Sequence, residues 1–198
     1  MYPLYLKRLI DFSGSLIIII ILFPLLIVVA ILIKIDSSGP VFFKQKRLGR
    51  DLKDIVILKF RSMTDEEHKV SKTIGRADGV TRIGYYLRRF KIDELPQLVN
   101  VLIGDMSLVG PRPSIREQLE VMTEEEIKRY AVRPGMTGLA QVCGNIHLSW
   151  KDRYKYDLKY VNNVSFMNDL KILLRTILII FKGEETFIDK PLAIREYR

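Results

Sequence analysis

The sequence predicts an α+β protein, mainly helical with a small β-hairpin, carried on an N-terminal membrane helix and closed by an amphipathic helix near its C-terminus. Three observations predict it. An uncharged apolar run from Leu16 to Ile33 is interrupted by Pro24. Between Pro40 and Arg61, two aromatic and β-branched runs flank a polar turn, the pattern of a hairpin. From Thr81 onward, apolar residues recur at helical spacing behind residues suited to capping. Two units follow: residues 1–36 as a re-entrant helix-break-helix anchor and residues 37–198 as one compact domain, a size that 198 residues allow.

Each element has its own physical reason. A straight helix over the apolar run would be about 27 Å long, nearly the thickness of a bilayer core of about 30 Å. The run exceeds the roughly 7–15 apolar residues of a cleaved signal peptide, so it is expected to stay as an anchor. Lys7 and Arg8 precede it, and Lys34, Lys44, Lys46, Arg47 and Arg50 follow it, whereas a spanning helix concentrates cations on its cytoplasmic side. Pro24 lacks an N–H and frees the carbonyl of Ile20. Both ends on one side of the membrane, with a bend at Pro24, is the topology these features favour over a kinked span.

Next comes the hairpin, with Gly49 and Asp51 in its turn. Met63 to Val80 is polar and reads as a surface excursion able to act as a lid. Ser114 with Glu117, and Thr123 with Glu126, have capping-box spacing. Ser149 opens a segment with Trp150, Tyr154 and Leu158 on one face. From Asp169 to Lys182 a helix is apolar around most of its circumference, with Lys171, Arg175 and Lys182 in one narrow stripe; it suits either a membrane interface or a buried position from which the cations snorkel.

Composition narrows the function classes. Lys and Arg number 32 against 23 Asp and Glu, a net charge of +9, which favours polyanionic partners. Cys143 is the only cysteine, which excludes an intrachain disulfide and a cysteine metal cluster and leaves it a small core residue. No nucleic-acid-binding motif accompanies the basic charge, so no nucleic acid partner is expected. His68 and His147 are isolated and read as incidental.

The chemistry concentrates between Thr81 and Pro113. Arg82, Arg88, Arg89 and Lys91 precede Asp93 and Glu94, after which Leu95, Leu98, Val99 and Leu102 have helical spacing and Pro96 falls in the first turn. On an ordinary helix this is an N-cap and a first-turn acid. Among so many cations, the same pair can hold an ionised nucleophile, with the second carboxylate as metal ligand or acid–base group.

The segments GPVFFKQKRLGR, LKFRSM, DELPQLVNVLIGDMSLVGPRP and RPGMTGLAQV, in this order behind a proline-broken apolar helix, resemble the bacterial sugar transferases known as monotopic phosphoglycosyl transferases, in their minimal, catalytic-domain-only form. The likeness runs from about Lys7 to Asp169. It implies transfer of a sugar phosphate from a UDP-sugar to undecaprenyl phosphate with Mg²⁺ and release of UMP. It also implies contact with membrane lipids on the cytoplasmic face of the bacterial inner membrane, residues 37–198 being the cytoplasmic catalytic domain. The family's nucleophilic aspartate and partner glutamate fall on Asp93 and Glu94, which are also the expected metal ligands. Its basic positions fall on Lys59 and on Arg112, the latter in a motif with Pro111 and Pro113. Lys59, Arg88, Arg112 and Arg133 are the candidates for a phosphate clamp, with Gly110, Pro111 and Pro113 holding Arg112; arginine suits this role through its planar fork.

Two departures stand out: Phe23 occupies a place where many members have a small hydroxyl residue before the anchor proline, and Leu139 and Cys143 stand where members often have tryptophan and asparagine. A homodimer is left open. The competing classes are a non-catalytic membrane scaffold of a polysaccharide assembly complex and a glycosyltransferase that releases UDP.

Overall fold

The computed structural model describes residues 2–64, 79–183, 192 and 194. The chain forms α1 (Lys7–Asp36), the strands β1 (Phe42–Leu48) and β2 (Asp54–Phe60), then α2 (Arg82–Arg89), α3 (Gln97–Ile103) and β3 (Ser107–Val109). After them come α4 (Glu124–Ile127), β4 (Gly135–Thr137), α5 (Leu139–Val142), α6 (Trp150–Asn162) and α7 (Phe166–Lys182). The mainly helical α+β class read from the sequence is what the structure has. The expected lid and His68 fall largely or wholly outside the described residues.

The hairpin is antiparallel, in register from Phe42 opposite Phe60 to Leu48 opposite Asp54. Its connection departs from simple turn geometry, since Asp51 and Leu52 both have positive φ, at 54° and 61°. Ile55 and Ile57 point into the main core, where Leu98, Val101, Met106, Val109, Leu139, Tyr160 and Ile172 meet them. A second, parallel pair joins β3 to β4, Ser107 facing Gly135 and Val109 facing Thr137. The sequence did not announce this pair: each strand has three residues, too few for an alternation to show.

α1 is one helix of 30 residues, about 45 Å long, and by length and composition it is able to cross a membrane. The expected break at Pro24 does not interrupt the helical backbone. A proline removes one N–H from the ladder, and the residues on both sides keep their helical dihedrals. Most of the apolar run is exposed, including Ile20, Ile21, Phe23 and Val28.

Both ends of α1 grip the same domain. Near its start the Arg8 guanidinium donates to the carbonyls of Val101 and Leu102 at 2.6 and 2.7 Å, and Asp11 accepts from Leu108 N at 3.0 Å and Ser107 Oγ at 2.8 Å. Near its end Val29 and Ile33 are buried against Phe60 and Leu87, Asp36 accepts from Ile83 N at 2.9 Å, and Arg61 donates to Ser37 O at 2.7 Å.

α7 begins one turn earlier than expected, capped by the Ser165 hydroxyl. Asn168, Asp169 and Ile172 face inward, while Met167, Leu170, Leu174, Ile177, Leu178 and Phe181 are exposed. The cationic stripe lies at the domain edge, where Arg175 Nε donates to Val142 O at 3.1 Å. Asp169 accepts from Lys7 Nζ at 2.7 Å and from the Tyr160 hydroxyl at 2.7 Å, joining α7 to the start of α1 and to α6.

Candidate active site

The acidic pair sits between α2 and α3. Lys91 takes a left-handed conformation, φ 58°, and reverses the chain out of α2 into a 3₁₀ turn over Ile92–Glu94. Pro96 then starts α3. Asp93 is therefore not the cap of α3: it lies a turn upstream, and its carboxylate makes no hydrogen bond or ion pair among the described residues, although it is only 9% exposed. Burial and the neighbouring Glu94 push its carboxyl above the usual range, against the pull of Lys59, Arg88 and Lys91.

Glu94 has the opposite character. Lys59 Nζ donates to Glu94 Oε1 at 3.2 Å, and Arg112 approaches in fork geometry, with one nitrogen 3.2 Å from Oε2 and the other on Oε1. Burial alone would raise this carboxyl, but Arg112 and Lys59 together hold it down at about 2. Two adjacent carboxylates thus differ: Glu94 is ionised and paired with two cations, and Asp93 is sheltered and, among the described residues, unengaged.

Lys59 is aimed by the register and by Asn100. That side chain, 1% exposed, accepts from Leu58 N at 3.0 Å and donates to Val56 O at 2.8 Å, so it pairs with the outer edge of β2 as a strand would and locks β2 to α3. Arg112 is held from behind. Gly110, Gly135 and Gly138 approach backbone to backbone beneath its loop: a Cβ on Gly110 would lie 2.4 Å from Arg133 O, and one on Gly138 2.1 Å from Gly110 O. No other residue fits there.

Arg129, 4% exposed, then donates to the Arg112 carbonyl at 2.8 Å, to Ser114 Oγ at 3.1 Å, and through two nitrogens to Asp157 Oδ2 at 2.9 and 2.7 Å. Burial would lower this guanidinium, yet Asp157 holds it above its ordinary value, while burial raises the Asp157 carboxyl against the pull of Arg129.

The structure brings Asp93, Glu94, Lys59 and Arg112 into one site, with Pro111 and Pro113 flanking Arg112 and Arg88 near enough to favour the ionised form of Asp93. It does not bring Arg133 there. Arg133 Nε donates to Gly104 O at 2.8 Å at the C-terminus of α3, beside Arg8, a placement that serves the helix end. Ser114 does not cap a helix, because its hydroxyl is engaged by Arg129 and Tyr130. Sequence reasoning missed Asn100, Arg129 and Asp157. The only available signal was a run of charged residues in helical stretches, and that does not separate a buried pair from a surface one.

Such a site can bind a multiply charged anion, offer one carboxylate to it and offset the charge with fixed cations. Joined at both ends to a long apolar helix that is able to cross a membrane, it fits an enzyme that handles anionic groups beside a bilayer. Residues 2–183 match the bacterial sugar transferase family model, and the chain belongs to that family, as a transferase. It is 45% identical over 188 residues to an exopolysaccharide production protein of Rhizobium leguminosarum, covering 88% of this chain and 94% of that one. It is 40% identical over 172 residues to an uncharacterized sugar transferase of Bacillus subtilis, covering 87% and 85%. A UDP-glucose:undecaprenyl-phosphate glucose-1-phosphate transferase of Klebsiella pneumoniae is 42% identical over 194 residues, 93% of this chain but 40% of that protein.

Proposed function

We propose that this chain transfers a sugar 1-phosphate from a UDP-sugar to undecaprenyl phosphate, yielding undecaprenyl diphosphate sugar and UMP, as a membrane step that starts polysaccharide or glycoconjugate assembly. The observation that carries the reading is the contrast within the acidic pair: Glu94 paired with Lys59 and Arg112, and Asp93 beside it unpartnered among the described residues. The names of relatives that act on UDP-sugars and undecaprenyl phosphate support the choice of substrates.

In the first step an Asp93 carboxylate oxygen attacks the sugar-bearing phosphorus. The bond from that phosphorus to the bridging oxygen breaks, and UMP leaves with the electron pair. In the second step an oxygen of undecaprenyl phosphate attacks the same phosphorus, the aspartyl–phosphorus bond breaks, and Asp93 is regenerated as a carboxylate. Splitting the reaction lets the soluble donor and the lipid acceptor use one site in turn. Arg112 and Lys59 offset the charge that grows on the phosphate oxygens, while Arg88 keeps Asp93 ionised.

The donor set suits Mg²⁺, which binds through one or two carboxylates plus phosphate oxygens and keeps much of its water. Asp93 and Glu94 would hold it. When bound, it offsets diphosphate charge.

For the anchor, the topology we propose keeps both ends of the unbroken α1 on the cytoplasmic face of the inner membrane, re-entrant in that sense. A crossing helix would separate its two ends by roughly 30 Å of hydrocarbon, yet Arg8 and Asp36 are bonded to one domain and the exposed apolar stretch lies between them. The test is to incubate the purified protein with Mg²⁺, undecaprenyl phosphate and a panel of UDP-sugars. Lipid-dependent UMP release with one or more sugars is expected; UDP release instead indicates direct glycosyl transfer, and no nucleotide product indicates the scaffold.

A further inference from the structure

Arg47 lies outside every role assigned so far. The hairpin register pairs Phe43 with Lys59, Gln45 with Ile57 and Arg47 with Ile55, and directly opposed residues share a face. On this face Ile55 and Ile57 enter the core and Lys59 reaches Glu94. Arg47 therefore continues the row that Lys59 begins. The next residue, Leu48, donates its N–H to Ser114 O at 2.8 Å, so the end of β1 runs beside the loop that presents Arg112.

The guanidinium of Arg47 is half-buried and incompletely used. One terminal nitrogen donates to Gln45 Oε1 at 2.8 Å. Its Nε is buried and finds no acceptor among the described residues. Burial and the like charge of Arg112 both disfavour its ionised form, and the acids Glu117 and Glu94 offset them incompletely. Glu94 already receives Lys59 and Arg112. Arg47 thus stands beside the loop that presents Arg112 with its Nη1 hydrogen-bonded to nothing among the described residues. A phosphate group supplies what is missing, namely acceptor oxygens and charge for a second arginine fork.

We propose that Arg47 is a donor-binding residue, closing with Arg112 on the diphosphate of a nucleoside diphosphate sugar. The inference rests on the proposed reaction and adds the residue that would hold the second phosphate. It is tested on the full chain in detergent micelles by binding of UDP and of uridine, by donor KM and kcat from UMP release, and by thermal unfolding. For Arg47→Gln, UDP binding weakens and donor KM rises about 10- to 100-fold, the worth of one charge-assisted hydrogen bond. Uridine binding, the unfolding temperature and kcat stay near wild type. Arg47→Lys keeps the charge but recovers only part of the affinity. Arg116→Gln, which removes an exposed pair with Asp54, serves as control and changes neither affinity. Unchanged UDP affinity in Arg47→Gln overturns the inference, as does loss of UDP and uridine binding together with a lower unfolding temperature, the mark of a structural role. In both cases UMP release by the wild type keeps the proposed reaction standing; a wild type that releases no UMP overturns the reaction and the inference with it.

Discussion

Replacing Arg129 by methionine separates what the buried Arg129–Asp157 pair does for folding from what it does for catalysis. The change removes the guanidinium that holds Asp157, Ser114 and the Arg112 carbonyl. Asp157, 2% exposed, is left as a buried carboxylate without its hydrogen-bonded countercharge. Breaking such a pair from one side costs about 3–5 kcal/mol, a large part of the roughly 5–15 kcal/mol that holds a domain together. At about 2–4 °C per kcal/mol for a chain of this size, the unfolding temperature should fall by roughly 10 °C. Adding Asp157→Leu removes the stranded charge, and apolar replacement of a buried pair is often close to neutral, so most of the lost temperature should return. Activity should not return with it, because the Arg112 carbonyl still lacks its donor at 2.8 Å and the guanidinium facing Glu94 is no longer positioned. Thermal unfolding in detergent micelles and UMP release, measured on the same three proteins, give both readouts. A fall below 2 °C for Arg129→Met would refute the energetic reasoning, and full activity in the double variant would refute the positioning role.

Three further outcomes are expected. Asn100→Leu strands the Leu58 N–H and the Val56 carbonyl, about 1–3 kcal/mol each, and should lower both the unfolding temperature and kcat; unchanged kcat would show that Lys59 does not depend on this clamp. Because Asp93 must be ionised to attack and its carboxyl is pushed up by burial and Glu94, kcat/KM for the donor should fall as pH drops through a value above the ordinary aspartate range near 3.9. An acid limb at or below that range contradicts the assignment, and Glu94, held at about 2, should contribute no limb. A cysteine fused ahead of Met1 and one at Ser38 should both resist an impermeant thiol reagent in intact cells and both react in inverted vesicles, with buried Cys143 silent; reaction of one alone from outside means that α1 spans the membrane.

What the sequence made legible was local. The hairpin, the cap at Ser149, the Thr123–Glu126 box and α7 each depend on residues within a turn or two, and the structure has them all. The Ser114–Glu117 spacing looked the same as the true box and misled, because a buried arginine 15 residues later claims the hydroxyl. The acidic pair was legible through its residue types and its cationic surroundings. Which cations reach it was only partly so: Lys59 and Arg112 arrive through strand register and a glycine-packed loop, while Arg133, apparently equivalent in the sequence, ends on Gly104. The supporting residues Asn100, Arg129 and Asp157 act across 15 to 44 positions, a distance at which periodicity carries no information. Pro24 shows a different limit: one missing hydrogen bond predicts a weak point, but it does not by itself end a helix whose two ends are both anchored.

The proposed reaction turns on whether Asp93 becomes covalently attached to the sugar phosphate. The direct measurement is intact-protein and peptide mass spectrometry of enzyme mixed with Mg²⁺ and its UDP-sugar, with no lipid acceptor present. One phosphosugar adduct on Asp93, matched by one equivalent of UMP, absent from Asp93→Asn and discharged by undecaprenyl phosphate, is the predicted result. UMP release that strictly requires the lipid, with no adduct at any time, would contradict the covalent route and require direct attack by the acceptor.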